Sequence, residues 1–184
     1  MGNPNSVSEQ AVPVVEPMAC NYQADITYPG QKKFDCGNST INSFVRGSLK
    51  KSVAAGNCAA KSLIDRSTGA LIGVCSFTAY SLDRDRLAGV FTGSLPREIG
   101  VVRLVMLAVD TKYQNNGYGS DLILEFFEHV KVIHNSLPVK GVYLDAAPEA
   151  VKFYKLLGFT VLQEAVNPDG TVPMLLAIQH ILAA

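Results

Sequence analysis

The sequence is defined first by what it lacks. Sixteen basic residues are matched by sixteen acidic ones. With no net charge there is no bulk attraction to a polyanion, and only a local patch could hold one. The four cysteines, Cys20, Cys36, Cys58 and Cys75, form no Cys-x-x-Cys pair and have no histidine at metal-ligand spacing. They read as reduced thiols of a cytoplasmic protein without a metal site. No uninterrupted apolar run reaches the roughly 18 residues needed to cross a membrane. The start has no basic region, and its apolar stretch at 11–15 is too short and too proline-broken for a secretory signal. There are no internal repeats. Residues 1–17 are expected to be a mobile N-terminal tail, and 18–184 a single domain long enough to bury a real core.

What is present centres on Tyr113-Gln114-Asn115-Asn116-Gly117-Tyr118-Gly119-Ser120-Asp121. An apolar, strand-like segment at 99–109 precedes it, and a helically periodic one at 122–132 follows. A glycine-bearing loop between strand and helix leaves several backbone N–H groups unpaired. The helix dipole adds about half a positive charge there. Such a place binds phosphate or pyrophosphate. It lacks the Gly-Lys-Ser/Thr ending of a nucleotide triphosphate loop and the third glycine of a dinucleotide fingerprint. Its own pattern is Gln-x-x-Gly-x-Gly.

The remaining segments alternate between strand and helix. Asn38 or Ser39 can cap a helix carrying Ile41, Phe44, Val45, Leu49 and Val53, with Gly56 at its C-terminal end. Segments 59–65 and 70–82 are strand-like and joined by a turn, which predicts a hairpin. Residues 83–98 read as a long polar loop. A strand at 139–145 leads to a helix at 148–157 with proline at its start. Two last strands are predicted at 160–165 and 173–182. The pattern is α/β (α+β mixed), with a mixed sheet flanked by helices.

Two motifs carry a family resemblance. Gln114-x-x-Gly117-x-Gly119 resembles the acetyl-CoA pyrophosphate loop of the GCN5-related N-acetyltransferases (GNAT). Ala150-Val151-Lys152-Phe153-Tyr154-Lys155-Leu156-Leu157-Gly158-Phe159 is similar to that family's "A-x-x-F-Y-x-x-x-G-F" segment. The resemblance spans about residues 60–180. It implies a mostly antiparallel central sheet with a splayed strand pair that binds acetyl-CoA as co-substrate. Leu107, Ala108 and Val109 would lie along the pantetheine arm, and the Val109 N–H would face the thioester oxygen. Gln114, Asn115, Asn116, Gly117, Tyr118, Gly119 and Ser120 would cradle the pyrophosphate.

Tyr154 is implied as general acid, since a phenol stays protonated at neutral pH and can give its proton to a leaving thiolate. The competing reading is that Phe153 and Tyr154 simply pack the helix on the sheet. Two family features are missing. Ala147 stands where many members have asparagine, and the strand at 101–108 carries no carboxylate or histidine to act as base. Glu98, Asp110 and Glu149 are the nearest carboxylates in sequence, and each reads as solvated surface. An enzyme without a base should favour an α-amine, neutral in roughly one molecule of six to ten at pH 7. A lysine amine is neutral in about one of 2,500.

The segment Phe34-Asp35-Cys36-Gly37 and the helix after it resemble the opening of the acetyltransferase toxins of bacterial toxin–antitoxin pairs. That branch implies the α-amine of aminoacyl-tRNA as acceptor and a ribbon-helix-helix antitoxin as partner, with a homodimer as the expected assembly. A tRNA patch would be Arg46, Lys50 and Lys51, with Lys32, Lys33, Arg84, Arg86 and Arg97 in nearby polar segments; the bland alternative is a solvated helix face. Other readings remain open: an acetyltransferase for a small-molecule amine or a protein N-terminus, and a non-catalytic CoA-binding module. His129 and His134 do not share a face as metal ligands at i, i+4 would, and they read, like His180, as ordinary histidines.

Overall fold

The computed structural model describes residues 15–162 and 166–184. Seven strands form one sheet in the order β1-β2-β3-β4-β5-β7-β6. They are β1 (Pro17–Asn21), β2 (Ala59–Asp65), β3 (Leu71–Asp83), β4 (Glu98–Val109), β5 (Gly141–Ala146), β6 (Thr160–Val161) and β7 (Val172–Ala177). Every neighbouring pair is antiparallel except β4 and β5. That pair is in register only at Val102–Val142 and Arg103–Tyr143. Beyond Arg103 the two strands part, leaving the second half of β4 unpaired on that side.

The helices are α1 (Ser39–Ser43), α2 (Leu49–Ala54), α3 (Tyr118–Ser136), α4 (Val151–Leu156) and α5 (Ile178–Ala183). Asn38 caps α1 by accepting the Ile41 N–H at 3.1 Å. A π-helical turn, Phe44–Ser48, joins α1 to α2. Helix α3 buries Leu122, Ile123, Phe126, Phe127 and Val130, one stripe at helical spacing. That stripe meets Val102, Leu104, Val142 and Leu144 from one face of the sheet, with Tyr154 of α4 and Ile178 and Ile181 of α5. The opposite face carries two smaller cores. One packs Phe34, Val45 and Leu49 on Val74, Met106 and Ala108. The other lies under residues 84–97, whose Leu87 is buried with Ile99, Val101 and Tyr143. The segment predicted as a plain loop is therefore a cover for the sheet.

A bulge in β4 decides which side chains face the helices. Ser76 pairs with Met106 but Phe77 pairs with Leu104, so Val105 is the extra residue. Alternation reverses there. Leu107 and Val109 pack toward α3, while Met106 and Ala108 go to the opposite core.

Three sequence expectations change. Strand β1 was not predicted; it starts at Pro17 and pairs along β2, from Pro17–Asp65 to Asn21–Lys61. An edge strand tolerates that proline because its first N–H needs no ladder partner. The strand predicted at 173–182 ends at Ala177, and α5 follows, because Ile178 and Ile181 bury one face at i, i+3 where a strand would point them apart. The strand predicted at 160–165 is seen at Thr160–Val161, and residues 163–165 lie outside the described residues, as do 1–14 of the expected tail.

Candidate active site

A cleft of about 680 Å³ opens where β4 ends, α3 begins and α4 crosses. Its lining includes Leu107, Ala108, Val109, Gln114, Asn115, Gly117, Tyr118, Gly119 and Ser120, nine of the ten residues assigned from sequence to the co-substrate. Asn116 faces away, with its side-chain amide donating to the carbonyls of Tyr113 at 3.1 Å and Gln114 at 2.9 Å. Tyr113, Glu149, Ala150 and Phe153 complete the wall. The sequence motif pointed to the last two only as parts of a helix.

The loop is built as an anion cradle. Asn115 and Gly117 have left-handed backbones, φ 63° and 82°. Alternating left-handed residues turn successive amides inward. Among the described residues, the N–H groups of Asn115, Asn116, Gly117, Tyr118 and Gly119 donate no backbone hydrogen bond. The Ser120 amide is already used, donating to the Gly117 carbonyl at 2.8 Å. A Cβ on Gly117 would meet nothing within 4 Å, and one on Gly119 only Val109 Cγ2 at 4.0 Å. The open space belongs to the cleft, and bare backbone can approach a diphosphate there.

Two side chains pin this loop. Gln114 Nε2 donates to the Val109 carbonyl at 2.9 Å and to the Cys36 carbonyl at 3.1 Å. Asp110, expected on the surface, is 5% exposed. It accepts the Asp35 N–H at 3.0 Å and the Lys112 N–H at 3.1 Å, and the Thr111 N–H donates to the Asp35 carbonyl at 2.7 Å. The Phe34-Asp35-Cys36-Gly37 segment thus docks on the end of β4, a contact no local pattern announces.

The open edge of β4 follows from alternation. The Asp110 N–H donates to Ile72 on β3 at 2.9 Å. The amides and carbonyls of Val109 and Leu107 therefore face the other way, toward the gap left by β5.

Tyr154 lies behind Phe153, ring centroids 5.2 Å apart, and edge-on to Phe159 at 5.5 Å. Burial pushes its phenol up to about 12, and the nearby Cys75 thiol adds to the rise. Among the described residues its hydroxyl makes no hydrogen bond, yet it is not among the sealed, unpartnered polar atoms. The ring itself packs α4 on the sheet.

Of the basic residues, Arg46 on the π-helical turn and Lys50 and Lys51 on α2 come together with Lys32 around a pocket of about 190 Å³. Arg46 Nε donates to the Phe34 carbonyl at 2.6 Å and Lys50 Nζ to that of Ile26 at 3.2 Å. Arg84 and Arg97 sit elsewhere, over the third core, beside Asp85 at 3.7 Å and Asp83 at 4.0 Å. His129 packs against the Phe77 ring at 5.3 Å, and the His134 Nδ1 accepts the Val139 N–H at 3.2 Å. All four cysteines are free thiols. Among the described residues no helix is long and apolar enough to cross a membrane.

Bare amides at the start of α3 thus lie in a cleft beside the splayed β4–β5 pair, with Tyr154 behind Phe153. Residues 60–177 match the family described as acetyltransferase (GNAT) domain, and the chain belongs to that family. It is an N-acetyltransferase whose co-substrate is acetyl-CoA. A crystal structure of a bacterial toxin is 63% identical, covering 92% of this chain and 95% of that one, with a TM-score of 0.90. The same fold recurs in AtaT complexed with acetyl-methionyl-tRNAfMet, at 20% identity, 91% and 98% coverage and a TM-score of 0.79. It recurs again in a mutant AtaT toxin bound to the C-terminus of the antitoxin AtaR and acetyl-CoA, at 21% identity, 91% and 96% coverage and a TM-score of 0.77.

Proposed function

We propose that this protein is a toxin that moves the acetyl group of acetyl-CoA onto the α-amine of an aminoacyl-tRNA by direct transfer. The observation that carries the reading is the cleft beside β4, with bare amides at one end, an unpaired strand edge along it and Tyr154 behind it. The diphosphate binds the N–H groups of residues 115–119 at the start of α3, and the pantetheine arm pairs with the open edge at Leu107 and Val109. The Val109 N–H then meets the thioester oxygen, where negative charge develops. One such donor is worth about 10²–10³ in rate.

The amine nitrogen attacks the thioester carbonyl carbon. The tetrahedral intermediate expels sulfur by breaking the C–S bond, and the departing thiolate takes the Tyr154 hydroxyl proton. The proton lost by the amine goes to water, and solvent reprotonates the phenol. No covalent enzyme intermediate forms. Among the described residues β4 carries no carboxylate from Ile99 to Val109, and Glu149 in the cleft wall is exposed, which favours an acceptor that is already partly neutral. Asp110 is consumed as a structural acceptor.

The pocket of Arg46, Lys50, Lys51 and Lys32 is the surface proposed for tRNA phosphates, since phosphate contacts supply most nucleic-acid affinity. The relatives seen with tRNA and with an antitoxin support the same reading, with a ribbon-helix-helix antitoxin as the neutralising partner.

The test is to offer labelled acetyl-CoA with charged tRNA, free amino acids and peptides side by side. Label on charged tRNA, together with growth arrest on expression, is the expected result. Label on a peptide or small amine instead would replace this acceptor. Acetyl-CoA binding with no turnover of any amine would leave a binding module.

A further inference from the structure

Arg103 stands where β4 and β5 part. It is half of their last registered pair, and its Nη2 reaches across the opening to Asp145 Oδ2 at 2.8 Å. It points away from α3 and α4, because its neighbours Val102 and Leu104 are the ones packed with those helices. The donor cleft opens on the α3 and α4 side. A second substrate meeting the thioester through the gap therefore arrives past Arg103.

The guanidinium is held but not used up. Its Cζ lies 5.1 Å over the Tyr80 ring. Its Nε is buried with no partner, and its Nη1 makes no hydrogen bond among the described residues. Asp145, in contrast, is saturated: besides Arg103 it accepts the Tyr143 hydroxyl at 2.6 Å and Asn167 Nδ2 at 2.9 Å. Asp145, itself held by two further donors, can therefore fix the guanidinium and orient its remaining donor.

We infer that Arg103, steadied by Asp145, binds the carbonyl oxygen that an aminoacyl group carries beside its amine, and so selects α-amino acyl acceptors over plain amines. The inference rests on the acyl-transfer reading above and adds the group that recognises the acceptor. A charged donor to a buried carbonyl gives discrimination that a hydrophobic pocket cannot.

The experiment compares phenylalanine methyl ester with 2-phenylethylamine, which has the same ring but no carbonyl, for wild type, Arg103→Met and Arg103→Lys. Arg103→Met is expected to lower kcat/KM for the ester by about tenfold to a hundredfold, mostly through KM. The value for 2-phenylethylamine should change by less than about threefold, and acetyl-CoA affinity by calorimetry should hold. Arg103→Lys keeps a cation beside Asp145 and loses the unpartnered Nη1 donor, so it should lose several-fold on the ester alone; it decides the matter if the methionine variant does not fold. Equal losses on both amines, or none on either, would overturn the inference and leave Arg103 as a strand brace. Failure of wild type to acetylate the ester would overturn it as well. Intact acetyl-CoA binding in that case would leave the transferase reading standing, and absent binding would remove both.

Discussion

The backbone N–H of Asp35 donates to the Asp110 carboxylate at 3.0 Å across a separation of 75 residues. That bond joins the segment before α1 to the end of β4, immediately ahead of the loop that opens α3. Asp110 also caps the short turn at Thr111–Tyr113 through the Lys112 N–H. Loop position therefore depends on a contact far from the loop in sequence. Asp110→Ala removes the acceptor of two part-buried N–H groups and should destabilise by about 1–3 kcal/mol in urea denaturation. Asp110→Asn keeps an acceptor and should lose about half as much. Acetyl-CoA affinity should fall in the same order.

Gly119→Ala should separate stability from binding. Alanine near the start of α3 favours the helix by about 0.5–1 kcal/mol. The added methyl meets only Val109 Cγ2 at 4.0 Å and otherwise stands in the cleft. The expected outcome is an equal or higher Tm with acetyl-CoA bound at least tenfold more weakly by calorimetry.

Tyr154→Phe should lower kcat by about 10²–10⁴. The ring contacts with Phe153 and Phe159 survive, and the lost hydroxyl had no partner among the described residues. Tm and acetyl-CoA affinity should therefore stay close to wild type. Retained turnover would reduce Tyr154 to a packing residue.

Arg46→Glu combined with Lys50→Glu should weaken tRNA binding at least tenfold and flatten its dependence on salt. Acetylation of a small amine should be unaffected, because this pocket and the donor cleft share no residue. Filter binding at several salt concentrations reads the first effect, and steady-state kinetics the second.

Alkaline pH should unfold the protein through its buried acids. Burial moves the Cys75 thiol from 9.0 to about 12 and the Tyr143 and Tyr154 phenols from 10.0 to about 12. The native state keeps protons that the unfolded chain gives up. Stability is then full below pH 9 and falls between pH 9 and 12, by at most about 1.4 kcal/mol per pH unit for each group. Melting curves from pH 7 to 11 check this, and Cys75→Ala should remove the part of the decline that starts below pH 10.

Much of the site was legible because it works through backbone and short spacing. A glycine loop between a strand and a helix exposes amides whatever the rest of the fold does, so the order of residues 114–120 pointed to the cleft that all but Asn116 line. The same holds for the Phe153-Tyr154 pair on its proline-led helix, and for the β2–β3 hairpin, where strand propensity and turn residues agree. Less legible was the end of the chain. The apolar run after Pro173 suits strand and helix equally, and only the pocket that receives Ile178 and Ile181 turns its second half into α5. Strand β1 was missed for a related reason: its pairing partner, β2, lies 42 residues downstream, from Pro17 to Ala59 at their first residues.

The sequence by itself determined an N-acetyltransferase chain with a glycine loop between a strand and a helix and a Phe-Tyr pair on a later helix, since those features need only a few neighbouring residues in order. Only the tertiary structure decided which way β4 faces, because the single extra residue Val105 reverses its alternation and is visible only against β3. Tertiary structure also placed Asp110 inside and set Arg103 across from Asp145. Burial and ion pairing depend on what distant strands bring alongside, and no local pattern encodes that.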